Sequence, residues 1–224
     1  DIYTYGLYRF ENNSYDSSTF GNGLTSVGSP AYSSSVYKIG SYALTGSDVN
    51  YFRVPVNAMP IMGAGTIEAW VYSTSLTANT QTIWRSSDAS NDSYMQINTA
   101  GQVVIKIGSG IPFTSTTSYV SLNTWTHLAV TWDGSYWRIY VNGYETDNTF
   151  NTATFPASTA TNNFIARSYA PNQQLNGYLD NFRVTGRART ALELKQDAQR
   201  YPYAVLTSQV MDIGQTPTAI GPLS

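Results

Sequence analysis

The chain has 224 residues, enough to bury a sizeable core in one large all-β domain or two small ones. Only 12% of residues are charged and the formal net charge is -2, so the basic field that nucleic acid or acidic lipid would demand is missing. The absence of cysteine excludes disulfides, thiolate metal sites and cysteine nucleophiles. No apolar run reaches membrane length, no signal-peptide pattern opens the chain, and an opening Asp1 fits removal of upstream residues. Aromatic residues reach 14%, led by 18 tyrosines, as suits strands joined by many turns.

In chain order, the first clear element is "GTIEAWVYS". Ile67, Ala69 and Val71 alternate with Glu68, Trp70 and Tyr72, and both faces are largely apolar or aromatic, which predicts an inner strand covered on both sides. "IWRSSDASNDSYM" follows, presenting Trp84, Arg85 and Tyr94 around a polar loop in which Asp88 and Asp92 read as solvated turn residues. "QVVIKIGSG" alternates as a half-buried strand. "NTWTHLAVTWDGSYWRIYVNG" holds three of the five tryptophans, the single histidine and two hairpin turns, Asp133-Gly134 and Asn142-Gly143, and so predicts a three-strand meander. Trp125, Trp132, Trp137 and His127 occupy strand interiors there and read as core. His127 has no nucleophile beside it on its strand and no second histidine or cysteine with which to hold zinc.

"ARSYAPNQQLNG" then offers Tyr169, Asn172 and Gln173 just before the last strand, "NGYLDNFRV". Arg183, Arg187 and Arg189 form a small basic cluster expected to make salt bridges or a solvated rim. "RTALELKQDAQRY" predicts a short helix with a capping box from Thr190 to Glu193. Residues 1–201 therefore read as one domain, and 202–224 as an extended tail suited to contacting a neighbour, a second copy included. Short strands, frequent turns and one small helix predict an all-β, two-sheet antiparallel sandwich of jelly-roll type.

The order "GLYRFENNSYDSSTFGNGL", "YKIGSYALTGSDVNYFRVP", "TIEAWVYS", "LNTWTHLAVTWDGSYWRIYVNG" and "LNGYLDNFRV" resembles the laminin-G-like, concanavalin A-like lectin/glucanase families over about nine-tenths of the chain. "GYLDNFRVTGRART" before a Tyr-Pro also resembles versions of the domain in bacteriophage virion proteins. The resemblance implies a rigid sandwich that binds carbohydrate or protein outside cells, at a cell surface or on a virion surface. It also implies that a hydrolase would carry carboxylates on alternate residues of one strand, about 5–5.5 Å apart in a retaining enzyme. The corresponding strand has Glu68 alone, followed by Trp70 and Tyr72, so a non-catalytic module is expected. A structural calcium ion is a further implication, held by Asp180 with Glu11 or Asn12 and oxygens near Gly46 to Asp48; the bland alternative has Asp180 capping a turn or pairing with Arg183.

The ligand-binding expectation falls on Trp84, Arg85, Tyr94, Tyr169, Asn172 and Gln173, because aromatic faces stack on sugar rings while amides and guanidinium groups give directional hydrogen bonds. Two functions follow: a recognition module for a surface glycan, or a structural decoration or appendage component of a virion or filament acting through protein contacts.

Overall fold

In a computed structural model of the chain, the structure describes residues 1–59, 63–76, 79–87, 92–108, 110–150, 162–168 and 171–199. The expected tail at 202–224 and Tyr169 lie outside the described residues.

Among the described residues, the first five strands are short: β1 (Thr4–Tyr8), β2 (Thr25–Val27), β3 (Tyr32–Ser33), β4 (Ala43–Thr45) and β5 (Tyr51–Arg53). The central run is longer, with β6 (Gly65–Ser73), β7 (Gln81–Ser87), β8 (Asp92–Ile97), β9 (Val103–Lys106) and β10 (Phe113–Thr114). The meander supplies β11 (Trp125–Trp132), β12 (Tyr136–Val141) and β13 (Tyr144–Phe150). β14 (Asn162–Ile165), β15 (Gly177–Thr185) and the helix α1 (Ala191–Ala198) complete the set.

Every pairing between these strands, among the described residues, is antiparallel. One sheet runs β13-β12-β11-β6-β15-β4-β3, with β1 also paired to β15; the other runs β10-β9-β8-β7-β14-β5-β2. The expected jelly-roll sandwich is thus present, with β6 flanked by β11 and β15 as its two-sided apolar pattern demands. Ile67, Ala69 and Val71 of the first sheet meet Phe52, Ile83, Met95, Ile105 and Ile165 of the second in one core. Trp132 and Trp137, cross-strand partners in the meander, stack at 4.8 Å with planes only 16° apart inside that core.

The turns do what their residues allow. Asp133 Oδ1 accepts the backbone N–H groups of Ser135 and Tyr136, while Gly134 takes φ +94°. Asn142 and Gly143 both take positive φ, the requirement of a tight primed turn. A Cβ on Gly143 would also lie 2.4 Å from Lys195 Cα, so this glycine lets α1 dock against the hairpin.

α1 starts where the sequence predicts. The Thr190 hydroxyl accepts from Glu193 N, and the Glu193 side chain accepts from Thr190 N. Leu194 packs on Ala129 and Tyr140, which face away from the main core. The helix therefore lies on the outer face of the first sheet and buries positions that would otherwise be wet.

The meander is not core throughout. Trp125 is only partly buried and sits on the outer face 5.4 Å from the Tyr72 ring, which in turn lies 5.8 Å from Tyr178. The alternation that sends Thr126 and Leu128 inward sends Trp125 outward, which corrects its expected core position.

Candidate functional site

On the outer face of the second sheet, one row of side chains crosses five neighbouring strands in register. Arg53 of β5 pairs with Phe164 of β14, Phe164 with Arg85 of β7, Arg85 with Tyr94 of β8, and Tyr94 with Lys106 of β9. Their inward neighbours Phe52, Ile165, Trp84, Met95 and Ile105 all lie in the core, so the row faces the other way. Cation and aromatic alternate along it.

Arg85 is the hub. Its Nε and Nη2 donate to the two oxygens of Asp92 at 2.8 and 2.7 Å, a bidentate pair, and Nη1 donates to Ser168 Oγ at 2.8 Å. The same Nη1 lies 3.5 Å from Gln173 Oε1, and the guanidinium sits 5.4 Å from the Tyr94 ring centroid. Burial, and behind it the Asp92 carboxylate, pushes the Tyr94 phenol above its ordinary range. Asp92 is thus an ion-pair partner, a correction to its expected place as a solvated turn residue.

A second group adjoins the Phe164 end. Arg167 lies 4.1 Å from the Tyr51 ring centroid and 5.1 Å from that of Phe164, and its Nε donates to the Asp48 carbonyl at 2.7 Å. Asp48 Oδ2 accepts from the backbone N–H of Asn172 at 2.8 Å, with Asn172 at φ +60°. Arg85, Tyr94 and Gln173 are therefore brought together directly, and Asn172 is held beside them by Asp48.

Trp84 does not join them. It is 1% exposed and belongs to the core, which corrects its expected place at a polar loop. The cause is a bulge in the β7–β8 pairing between Thr82 and Trp84, which leaves Ile83 and Trp84 both inward-facing. Tyr51, Arg53, Lys106, Phe164 and Arg167 are the site residues that sequence reasoning missed. Alternation around the apolar residues of "NYFRVP" and "NNFIARS" carries some signal, but the pairing between strands does not appear in the sequence.

Among the described residues, the carboxylates expected to hold calcium accept from N–H groups. Asp180, fully buried, accepts at Oδ2 from the N–H groups of Lys38 and Ile39, both at 2.9 Å, and at Oδ1 from Asn181 Nδ2 at 2.8 Å. Glu11 Oε2 accepts from Ser41 N at 3.0 Å, its carboxylate filling the space where a Cβ on Gly40 would sit. Calcium wants roughly six to eight oxygen donors, whereas these two carboxylates are met by N–H groups, the chemistry of an anchored loop. Asn12 is exposed, and Asp48 belongs to the other sheet's group. Among the described residues, no three His, Cys, Asp or Glu side chains are grouped to hold a metal. Burial raises the Asp180 carboxyl to about 6, against the pull of its N–H donors.

A second polar cluster lies on the first sheet under α1. Glu68 Oε1 accepts from Arg189 Nη1 and pairs with Arg183 Nη1 at 3.1 Å; Asp197 Oδ2 lies 2.6 Å from both guanidinium atoms. His127 Nε2 is 3.5 Å from Glu68 Oε2, with Trp70 packed edge-on at 5.2 Å. Burial lowers His127 to about 4, so it is neutral at pH 7. Glu68 and His127 are each 2% exposed, and the void beside them is about 10 Å³, room for a single water and no substrate. A bulge in β15 between Asp180 and Arg183 turns Arg183 outward opposite Glu68, its register partner on β6, and the arginine pairs with that carboxylate.

A search of curated protein sequences found no match. Among solved structures, the chain is similar to domain 4 of AbnA, a GH43 extracellular arabinanase from Geobacillus stearothermophilus, determined in complex with arabinotriose. The TM-score is 0.69 at 21% identity, covering 88% of this chain and 98% of that one. It is also similar to the binding domain of Paraclostridial Mosquitocidal Protein 1, with TM-score 0.67 and 15% identity over 88% of this chain and 52% of that one. A putative carbohydrate binding protein from Bacteroides ovatus matches at TM-score 0.51 and 19% identity, covering 77% of this chain and 47% of that one. These likenesses are of fold. The Laminin_G_3 model, described as the concanavalin A-like lectin/glucanases superfamily, matches residues 45–195, more than half of the sequence, and the chain belongs to that family.

Proposed function

We propose that the chain is a non-catalytic carbohydrate-recognition module acting outside cells, with its ligand seated on the outer face of the second sheet. The observation that carries this reading is the convergence of Arg85, Tyr94 and Gln173, with Asn172 at the edge, on a rigid strand scaffold. An aromatic face, an amide and ordered guanidinium groups are the chemistry that a sugar's apolar ring face and hydroxyls require. The arabinotriose-bound neighbour and the putative carbohydrate binding protein support the ligand class. The toxin binding domain supports recognition as the role. On the first sheet, Glu68 is held by Arg183 and Arg189 with the neutral His127 buried beside it, which supports the non-catalytic part.

The test is a broad glycan array probed with the purified protein. Selective binding that falls about tenfold in Tyr94→Ala and Gln173→Ala, with melting temperatures near that of the parent, is expected. A blank array from folded protein would overturn the reading.

A further inference from the structure

The row on the second sheet also carries charge, and its balance points to a ligand class. Asp92 neutralises Arg85, but Arg53, Arg167 and Lys106 have no carboxylate within ion-pair distance among the described residues. Arg53 Nε is buried with no hydrogen-bond partner, and Arg167 spends its Nε on a neutral carbonyl. Asp48, beside this end, uses its carbonyl and one carboxylate oxygen to hold the site's own loop. In a chain of net charge -2, the face is therefore locally cationic.

The spacing is regular. Neighbouring strands lie ~4.8 Å apart, so Arg53 stands ~19 Å from Lys106, with the Asp92-paired Arg85 midway between them. That span is comparable with the length of a tetrasaccharide. Aromatic rings fill the strands between, Phe164 beside Arg53 and Tyr94 beside Lys106. Unpaired cations at the two ends of the row, with the partly exposed Tyr94 between them, match a polymer that carries acidic groups along a chain of sugar rings.

We infer that the ligand is an anionic glycan whose carboxylate or sulfate groups meet Arg53 and Arg167 at one end of the row and Lys106 at the other. This rests on the carbohydrate reading above and names its substrate class. Tyr51 and Tyr94, both partly exposed, supply contact with sugar faces, and the unpaired cations supply selection by charge.

The probes are polygalacturonate oligomers against their methyl esters, and dextran sulfate against dextran, titrated by calorimetry at two salt concentrations. Binding of at least one acidic member, with its neutral partner about tenfold weaker and affinity falling as salt rises, is expected. Preference for polygalacturonate alone assigns carboxylate, and preference for dextran sulfate alone assigns sulfate. Arg53→Gln and Lys106→Gln should each weaken the acidic ligand about tenfold, and Lys106→Glu more strongly. Two variants at opposite ends guard against one that fails to fold, and melting temperature checks both. Neutral and acidic partners binding equally would overturn the inference while leaving the carbohydrate reading intact. Acid binding unaffected by both substitutions would also overturn it, by placing the acid elsewhere. No binding of any saccharide by folded protein would remove both.

Discussion

Trp84 and Arg85 are adjacent in the chain and lie on opposite sides of the sheet, so their substitutions should fail in different ways. Trp84→Ala removes a 1% exposed indole from the core and should cost about 3–5 kcal/mol of stability by chemical denaturation. Tyr94, partly exposed on the outer face, should lose ligand and little stability. His127 gives a test by pH. Its pKa falls from 6.5 to about 4 on folding, so the stability it contributes is complete above 6.5 and is lost as pH falls through 4. His127→Asn should cost about 1–2 kcal/mol at pH 7 through lost packing, and the gap from the parent should close by pH 4. A gap of constant size in melting temperature across that range would contradict the neutral, buried histidine. Asp180 should leave the protein indifferent to chelator: with N–H groups already on both oxygens, exhaustive chelation should not move the melting temperature.

Elements were legible wherever the information was local. The bounds of β6 coincide with its alternating stretch, the meander follows from Asp133-Gly134 and Asn142-Gly143, and the Thr190–Glu193 box marks the first turn of α1. Thr190→Ala should accordingly cost about 1 kcal/mol, read from the denaturation midpoint. Period-two reading failed where a strand carries a bulge. The extra residue at Ile83–Trp84 turned an expected contact residue into core, and the bulge between Asp180 and Arg183 sent the arginine to Glu68. The candidate site was half legible for a related reason. Arg85, Tyr94, Asn172 and Gln173 announce themselves as polar and aromatic residues beside turns. Arg53, Phe164 and Lys106 join them only through strand pairings between segments far apart in sequence. The helix is tied down by the same kind of distant pairing: removing Arg189 would leave Glu68 and Asp197 short of a shared partner. Arg189→Ala should therefore destabilise by about 3–5 kcal/mol.

Across the whole molecule the two outer faces are used differently. The first sheet spends its face on structure, with α1 laid over Ala129 and Tyr140 and a closed ion network around Glu68. The second keeps Tyr51, Arg53, Tyr94 and Lys106 partly exposed. Recognition is thereby separated from the parts that hold the helix, which is why substitutions at the partly exposed Arg53, Tyr94 and Lys106 should change binding without unfolding the sandwich.

The Trp132–Trp137 stack has an optical consequence. Two indoles 4.8 Å apart with nearly parallel planes couple their electronic transitions, and coupled transitions give paired circular-dichroism bands of opposite sign. The two rings come from strands joined by the Asp133-Gly134 turn, so that signal reports closure of one hairpin inside the core. Trp125, half-exposed on the other side of the same strand, is left as the indole open to a dissolved fluorescence quencher. The protein thus carries two built-in reporters, one for its interior and one for its surface, without any added label.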